Sequence, residues 1–166
     1  MNLVDKILFD PITKGLKMFS RGGSQVFDSK QNSEIFLQVG NGTGSTNTKV
    51  RRYTDIVVNS GGADLTLAQS STLGDSITVN TTGVYAISVA DTATTPNDAT
   101  IAINQTVVTS GVSALIAMRF GVNSSQISCA TAIAKIVAGS VVRWTVDNNA
   151  TLSTAGGVSF RITRIS

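Results

Sequence analysis

Few side chains in this 166-residue chain are suited to catalysis or to metal binding. The chain has no histidine, which removes the commonest general base and the commonest metal ligand. Cys129 is the only cysteine, so the chain can form neither an intrachain disulfide nor a thiolate-based zinc or iron–sulfur site. In its setting of small and polar residues, we expect Cys129 to be a small buried hydrophobe.

The ten acidic residues are scattered along the chain rather than paired. Most lie beside turn residues, where aspartate side chains commonly bond to the local backbone. A calcium site made of loop carboxylates such as Asp91 and Asp98 is an alternative that the spacing leaves open. The Gly-rich segment 40–49 lacks the strand–helix context and the Lys-Ser/Thr ending of a phosphate-binding loop. We therefore predict that the protein is not an enzyme and holds no metal or other cofactor.

Charge is sparse and unevenly distributed. Charged residues make up 14% of the chain, against about 25% in a typical soluble domain, which favours a surface covered by copies or partners. Residues 1–52 contain eight Lys or Arg and four acids, a net charge of +4, whereas residues 53–166 contain five and six, a net charge of −1. Only Tyr53 lies beside clustered charge, at Arg51 and Arg52, so we do not expect nucleic-acid binding.

The N-terminal segment 1–40 is predicted to be an extended or partly helical arm that attaches to a partner. Apolar residues in segment 1–22 occur at helical spacing, with Asp10 suited to cap a helix and Pro11 to begin it. The expected binding residues are the apolar residues of the arm and the basic residues that steer its approach. These are Leu3, Val4, Ile7, Leu8, Phe9, Ile12, Leu16, Phe19, Lys14, Lys17, Arg21, Arg51 and Arg52.

Residues 41–52 are predicted to be a Gly/Ser/Thr-rich linker, and residues 53–166 an all-β domain. Apolar and polar residues alternate in about eight segments, separated by turn signals such as Gly61-Gly62 and Gly156-Gly157. The segments are Asp55–Asn59, Ala63–Gln69, Ser76–Val79, Val84–Val89, Thr100–Asn104, Gln126–Ala130, Val141–Val146 and Val158–Ile165. This pattern favours a sandwich or barrel, with Tyr85 and Trp144 in the core or an interface. The Ala/Ile content of segment 130–137 could suit a helix, but its position between two strands favours a strand or an extended loop.

The order of motifs in residues 50–166 resembles the tumour necrosis factor/complement-type jelly roll. Ile77–Val89 is similar to its Gly-x-Tyr hairpin, through Gly83-Val84-Tyr85, and Ala99–Gln105 to its Ile-x-Ile-Asn strand. Segment 136–144 resembles its Leu-x-x-Gly-Asp-x-Val turn, with Ser140 in place of Asp, and Val158–Ile165 its closing strand. The resemblance implies a jelly-roll sandwich of about eight antiparallel strands, assembled as a homotrimer through aromatic and aliphatic strand faces.

The family includes many bacteriophage virion proteins, and this chain resembles that subset in its low charge and adhesive arm. We predict a capsid decoration (cement) protein, made in the host cytoplasm, that binds the major capsid protein on the outer capsid surface and stabilises the shell. The alternatives are a receptor-binding tip or fibre domain of a phage tail, and a shell-forming jelly-roll capsid subunit. The sequence contains no run of about 18 apolar residues, so it predicts no membrane-spanning helix.

Overall fold

The computed structural model describes residues 6–10, 15–19, 25–28, 33–91, 97–104, 115–122, 128–146 and 157–166. The chain divides into two compact units, Met1–Asn32 and Ser33–Ser166, and each is considered by itself. The described strands are β1 (Lys6–Asp10), β2 (Gly15–Phe19), β3 (Gln25–Asp28), β4 (Glu34–Thr43), β5 (Arg51–Asn59), β6 (Leu65–Ala68), β7 (Ser76–Val79), β8 (Gly83–Asp91), β9 (Asn97–Ile103), β10 (Leu115–Val122), β11 (Ser128–Ile136), β12 (Val141–Val146) and β13 (Ser159–Arg164).

The first unit contains a three-stranded antiparallel sheet in the order β1-β2-β3. Cross-strand partners lie on the same face of a sheet, so the register assigns the residues to two faces. One face, here called the arm's apolar face, contains Ile7, Phe9, Leu16, Met18 and Phe27. The other face contains Lys6, Leu8, Asp10, Lys17, Phe19, Gln25 and Asp28.

The extended form of the arm is therefore confirmed over these strands, and the helical interpretation of its spacing is wrong there. β1 ends at Asp10, so this residue closes a strand instead of capping a helix, and Pro11 lies outside the described residues. The physical reason is that the same residues also alternate with period two. Pairing of the three strands places five of the apolar residues on one face.

The second unit is a sandwich of two antiparallel five-stranded sheets, as the jelly-roll prediction required. The first sheet has the order β11-β8-β13-β4-β5 and the second has the order β10-β9-β12-β7-β6. Alternate residues of both sheets fill a core between them, in which Trp144 and Tyr85 are fully buried. Among the described residues no helix crosses a membrane: none is long and apolar enough.

The sandwich contains more of the chain than the sequence pattern indicated. All eight alternating segments overlap strands, and segment 130–137 belongs to β11 except for its last residue, Val137. However, β4 and β5 begin before residue 53, and β4 pairs with β13 along Glu34–Gln38. The compact unit thus starts at Ser33, so the structure divides the chain at residues 32 and 33 instead of at 40 and 52.

Candidate assembly surface

One face of the β11-β8-β13-β4-β5 sheet points away from the core. The residue pattern of β8 shows how the sequence produces this face. In β8 the odd residues Tyr85, Ile87 and Val89 are buried, while the even residues between them are half-buried. The strands that flank β8 follow its phase, because cross-strand partners share a face. We call the outward residues of β4, β8, β11 and β13 the outer face. They are Glu34, Phe36 and Gln38 on β4, Val84, Ala86, Ser88 and Ala90 on β8, Cys129, Thr131, Ile133 and Lys135 on β11, and Ser159, Arg161 and Thr163 on β13.

The outer face combines small or aliphatic residues with hydroxyl groups, and three of its fourteen residues are charged. Its most exposed large apolar residue is Ile133, which is 69% exposed and lies opposite Ala86. Val137, directly after β11, is 57% exposed. The Ser88 and Thr131 hydroxyls hydrogen-bond to each other at 3.0 Å, which satisfies polar groups within the face. Apart from its charged residues, a face of this kind loses little solvation when another surface covers it.

The main charged feature of the outer face is a three-residue cluster on and beside β13, the central strand of the sheet. The Arg161 guanidinium carbon lies 4.9 Å from the centroid of the Phe36 ring, a cation–π arrangement. Arg161 also donates to a Glu34 carboxylate oxygen. Phe36 and Arg161 are direct partners in the β4–β13 register, so the backbone pairing itself brings them together.

Arg51 does not belong to any accessible surface, so its predicted role in steering a partner is wrong. Both it and Asp91 are fully buried, and their ion pair spans 2.8 Å. The second oxygen of Asp91 accepts a hydrogen bond of 2.7 Å from the Trp144 indole N–H. The burial also corrects the alternative of a calcium site at Asp91, because its two oxygens already have partners within the core. Arg52, the next residue, is half-buried.

A second buried carboxylate, that of Asp75, lies in the same region of the sandwich as the Arg51–Asp91 pair. Asp75 accepts hydrogen bonds from the backbone N–H groups of Tyr53 at 2.8 Å and Ser70 at 3.2 Å. Burial raises the pKa of Asp75, and burial together with nearby Asp91 raises that of Tyr53 well above its usual value. Gly74 has a φ of +77°, and a Cβ there would lie 2.5 Å from the Val50 side chain, so this turn requires glycine.

The arm residues predicted to bind a partner are only partly described. Leu3, Val4, Ile12, Lys14 and Arg21 lie outside the described residues. The register separates the other six: Ile7, Phe9 and Leu16 belong to the arm's apolar face, whereas Leu8, Lys17 and Phe19 belong to the opposite face. The sequence prediction treated them as one set, which the strand pairing does not support.

Cys129 is exposed at the start of β11, so the prediction that it is buried is wrong. Its cross-strand partner is Ala90, a residue of the outer face, and the strand phase therefore directs it outward. Within the described part of the chain, no three His, Cys, Asp or Glu residues cluster in a way that could hold a metal ion.

The outer-face residues Phe36, Ile133 and Arg161 were not identified from the sequence. Phe36 was assigned to the arm, and neither Ile133 nor Arg161 stands out in its own segment. The one available signal is the run Ala86, Ser88, Ala90, which places small residues at three of the four outward positions of β8. Small residues on one side of a strand allow another surface to approach closely.

Comparisons with known proteins identify the fold. No protein-family model matches the sequence, and no curated protein matches it. The structure is similar to murine APRIL at pH 8.0, with a TM-score of 0.61 and 16% identity over 81% of this chain and 100% of that one. It is also similar to the globular domain of zebrafish complement 1qA protein, with a TM-score of 0.59 and 11% identity over 82% of this chain and 98% of that one.

The second unit has the jelly-roll fold shared by these two proteins. The predicted resemblance to the tumour necrosis factor/complement-type jelly roll is thereby confirmed at the level of the fold.

Proposed function

We propose that this chain is a homotrimeric structural protein of a bacteriophage virion, which decorates the outer capsid surface by binding the major capsid protein. The observation that carries the proposal is the outer face of the five-stranded sheet that contains β8, where Ile133 is 69% exposed, on the same chain as an arm whose strand register groups five apolar residues together. The first surface suits copies of the chain, and the second suits a partner.

The size of the outer face is compatible with assembly. Four strands at about 4.8 Å spacing, each contributing roughly 20 Å of length at about 3.4 Å per residue, give it roughly 400 Å² of flat area. Side-chain relief makes the accessible area larger, so it approaches the roughly 800 Å² per partner of a standard interface. Ile133 on β11 and Phe36 on β4 supply large apolar contacts for such an interface.

The arm is proposed to fasten the trimer to the capsid. Burial of one large apolar side chain stabilises a contact by roughly 1.5–3 kcal/mol, while ordering each residue costs about 1–2 kcal/mol. One arm would therefore bind weakly, but three arms on a trimer would bind far more tightly through avidity. Lys14, Lys17 and Arg21 add an attraction to an acidic shell that weakens with salt.

The virion assignment is supported by composition. Sparse charge, the absence of histidine and the lack of paired carboxylates fit a protein that binds and assembles instead of catalysing a reaction. A basic, apolar N-terminal arm on a small jelly roll fits attachment to a larger lattice.

The first test asks where the protein is located and whether the arm attaches it. An antibody against the sandwich should label the outer shell of the particles that carry this protein, as seen by electron microscopy. Shells stripped of it should bind the full chain in co-sedimentation, whereas a chain lacking residues 1–32 should remain folded and unbound. Labelling confined to tail fibres, or equal binding by the truncated chain, would contradict the proposal.

Neighbouring residues of β1 provide a matched pair of point variants. Phe9 lies on the arm's apolar face and Leu8 on the opposite face. If the apolar face binds the shell, Phe9→Asp should weaken co-sedimentation by at least about tenfold, because it introduces a charge into a buried contact. Leu8→Asp should change it much less. Equal losses would mean that the arm does not bind through one face.

A further inference from the structure

We propose that the Glu34–Phe36–Arg161 cluster determines how copies of this chain dock on the outer face, the occupant of that face being a second copy of the chain. The inference rests on the proposed trimer and specifies which residues control it. An ion pair at the centre of an apolar interface contributes little net affinity when intact, but it strongly opposes assembly when one partner is removed.

The position of the cluster supports this role. Arg161 lies on the central strand of the sheet, opposite Phe36 on one side and Ser88 on the other. Its side chain is 49% exposed, whereas that of Glu34 is 17% exposed, so the guanidinium has much more surface left to lose. A molecule that covers the centre of the face must therefore desolvate Arg161.

Charge content favours a second copy as the occupant. Apart from this pair, the charged residues on this side of the sheet are Lys135 on β11 and Asp55 on β5, opposite Gln38, so the four charges sum to zero. Such a face would not repel a strongly acidic or a strongly basic partner, and it would not attract one either. Interfaces around a threefold axis join two different surfaces, so the second copy would cover this face with another of its surfaces while each copy keeps its own ion pair.

The geometry also explains how the cluster limits the ways of docking. The Phe36 ring and the Glu34 carboxylate hold the guanidinium in place from two sides. A fixed polar group within an apolar face permits only those arrangements in which the neighbouring copy leaves it hydrogen-bonded. This is the way in which single polar residues select register and oligomeric state in other assemblies.

The test is a double-mutant cycle on the full chain, read by sedimentation over a range of protein concentrations. Arg161→Met and Glu34→Gln each leave one charge on the face, whereas the double variant removes both. Each single variant should raise the trimer dissociation constant by at least about 30-fold. The double variant should assemble more tightly than either single variant. Arg161→Lys keeps the charge without the planar ring contact and should lie between wild type and Arg161→Met.

A second ion pair on the same strand provides the control. Arg164 binds Asp64 at 3.2 Å, and this pair joins the end of β13 to the turn before β6, outside the outer face. Arg164→Met and Asp64→Asn should leave the dissociation constant within about threefold of wild type. Circular dichroism of each variant separates loss of assembly from loss of folding.

The outcomes are distinguishable. Single variants that assemble like wild type, or a double variant whose loss equals the product of the single losses, would overturn the inference while leaving the trimer intact. A wild-type chain that stays monomeric would overturn the proposed function itself.

Discussion

Two arginine–carboxylate ion pairs occupy opposite kinds of surroundings in this sandwich. Arg51 and Asp91 are enclosed in the interior, where the Trp144 indole donates to the remaining carboxylate oxygen. Glu34 and Arg161 lie on the outer face, where about half of the Arg161 side chain is exposed. The chain supplies partners for the charge that it buries, whereas the charge on the outer face still has solvent to lose. The interior pair thus has all its partners within one copy of the chain, whereas the outer-face pair leaves surface that another molecule could cover.

The largest expected effect follows from opening the interior pair. Asp91→Ala removes the carboxylate that both Arg51 and Trp144 contact, and should lower the free energy of unfolding by about 3–5 kcal/mol. Urea-induced unfolding of the variant measures this change. Asp55→Ala, at an exposed position, should stay within about 0.5 kcal/mol of wild type. A loss below about 1 kcal/mol at Asp91 would show that the interior pair is not sealed as described.

The second-largest expected effect is a loss of assembly that leaves the folding of each copy unchanged. Ile133→Asp places a charge at the most exposed apolar residue of the outer face, so it should convert the trimer to monomer. Its unfolding curve as a monomer should be unchanged, since Ile133 is solvated in a single copy. Leu73→Asp is the control, because Leu73 is also exposed but lies in the turn between β6 and β7. Light scattering of both variants decides, and a trimeric Ile133→Asp chain would contradict the assembly surface.

A third effect distinguishes the buried carboxylates by their pH dependence. Burial raises the pKa of Asp75 above its value in the unfolded chain, so the folded state binds this proton more tightly. The stability that Asp75 contributes is therefore present below the unfolded pKa and is lost as pH rises through the folded pKa. Asp75→Asn should lack this dependence. The check is urea unfolding of both chains from about pH 3.5 to 7, and parallel curves would refute the assignment.

The smallest effect has the opposite sign. The Ser33 hydroxyl donates to Asp64, and this hydrogen bond is the main cause that lowers the pKa of the carboxyl. Its contribution is present above the unfolded pKa and is lost as pH falls through the folded pKa. Ser33→Ala should cost about 0.5–1.5 kcal/mol at pH 7 and less in acid. Ser71→Ala, at an exposed position, serves as the control, and a cost independent of pH would contradict the assignment.

The sequence predicted the sandwich well because its strands alternate locally. Tyr85 and Trp144 were placed in alternating segments and are buried in the core. The boundary before residue 53 was predicted less well, since the Gly-rich stretch was interpreted as a linker. In the structure, Val39 and Gly42 adopt positive φ values of 58° and 67°, and the pairing of β4 with β5 shifts register between Gly40 and Thr43. Glycines here allow a bulged strand to continue.

The candidate surface could be predicted only in part, because it depends on pairing across long separations. The sequence neighbours of Arg51 suggest a surface charge, yet Arg51 is buried in an ion pair with Asp91, which lies 40 positions later in the chain. Likewise, the contact of Arg161 with Glu34 joins residues separated by 127 positions. Alternation predicts that a strand has two faces, but the register between strands decides which residues meet on them.

The most direct test of the central claim is the mass of the wild-type chain in solution. Sedimentation equilibrium at micromolar concentration should give three times the chain mass of 17.2 kDa, about 52 kDa. Dilution should reveal a single trimer–monomer equilibrium, which Ile133→Asp shifts fully to monomer. A wild-type species of 17.2 kDa that persists to tens of micromolar would contradict the account, because the outer face would then have no second copy to cover it.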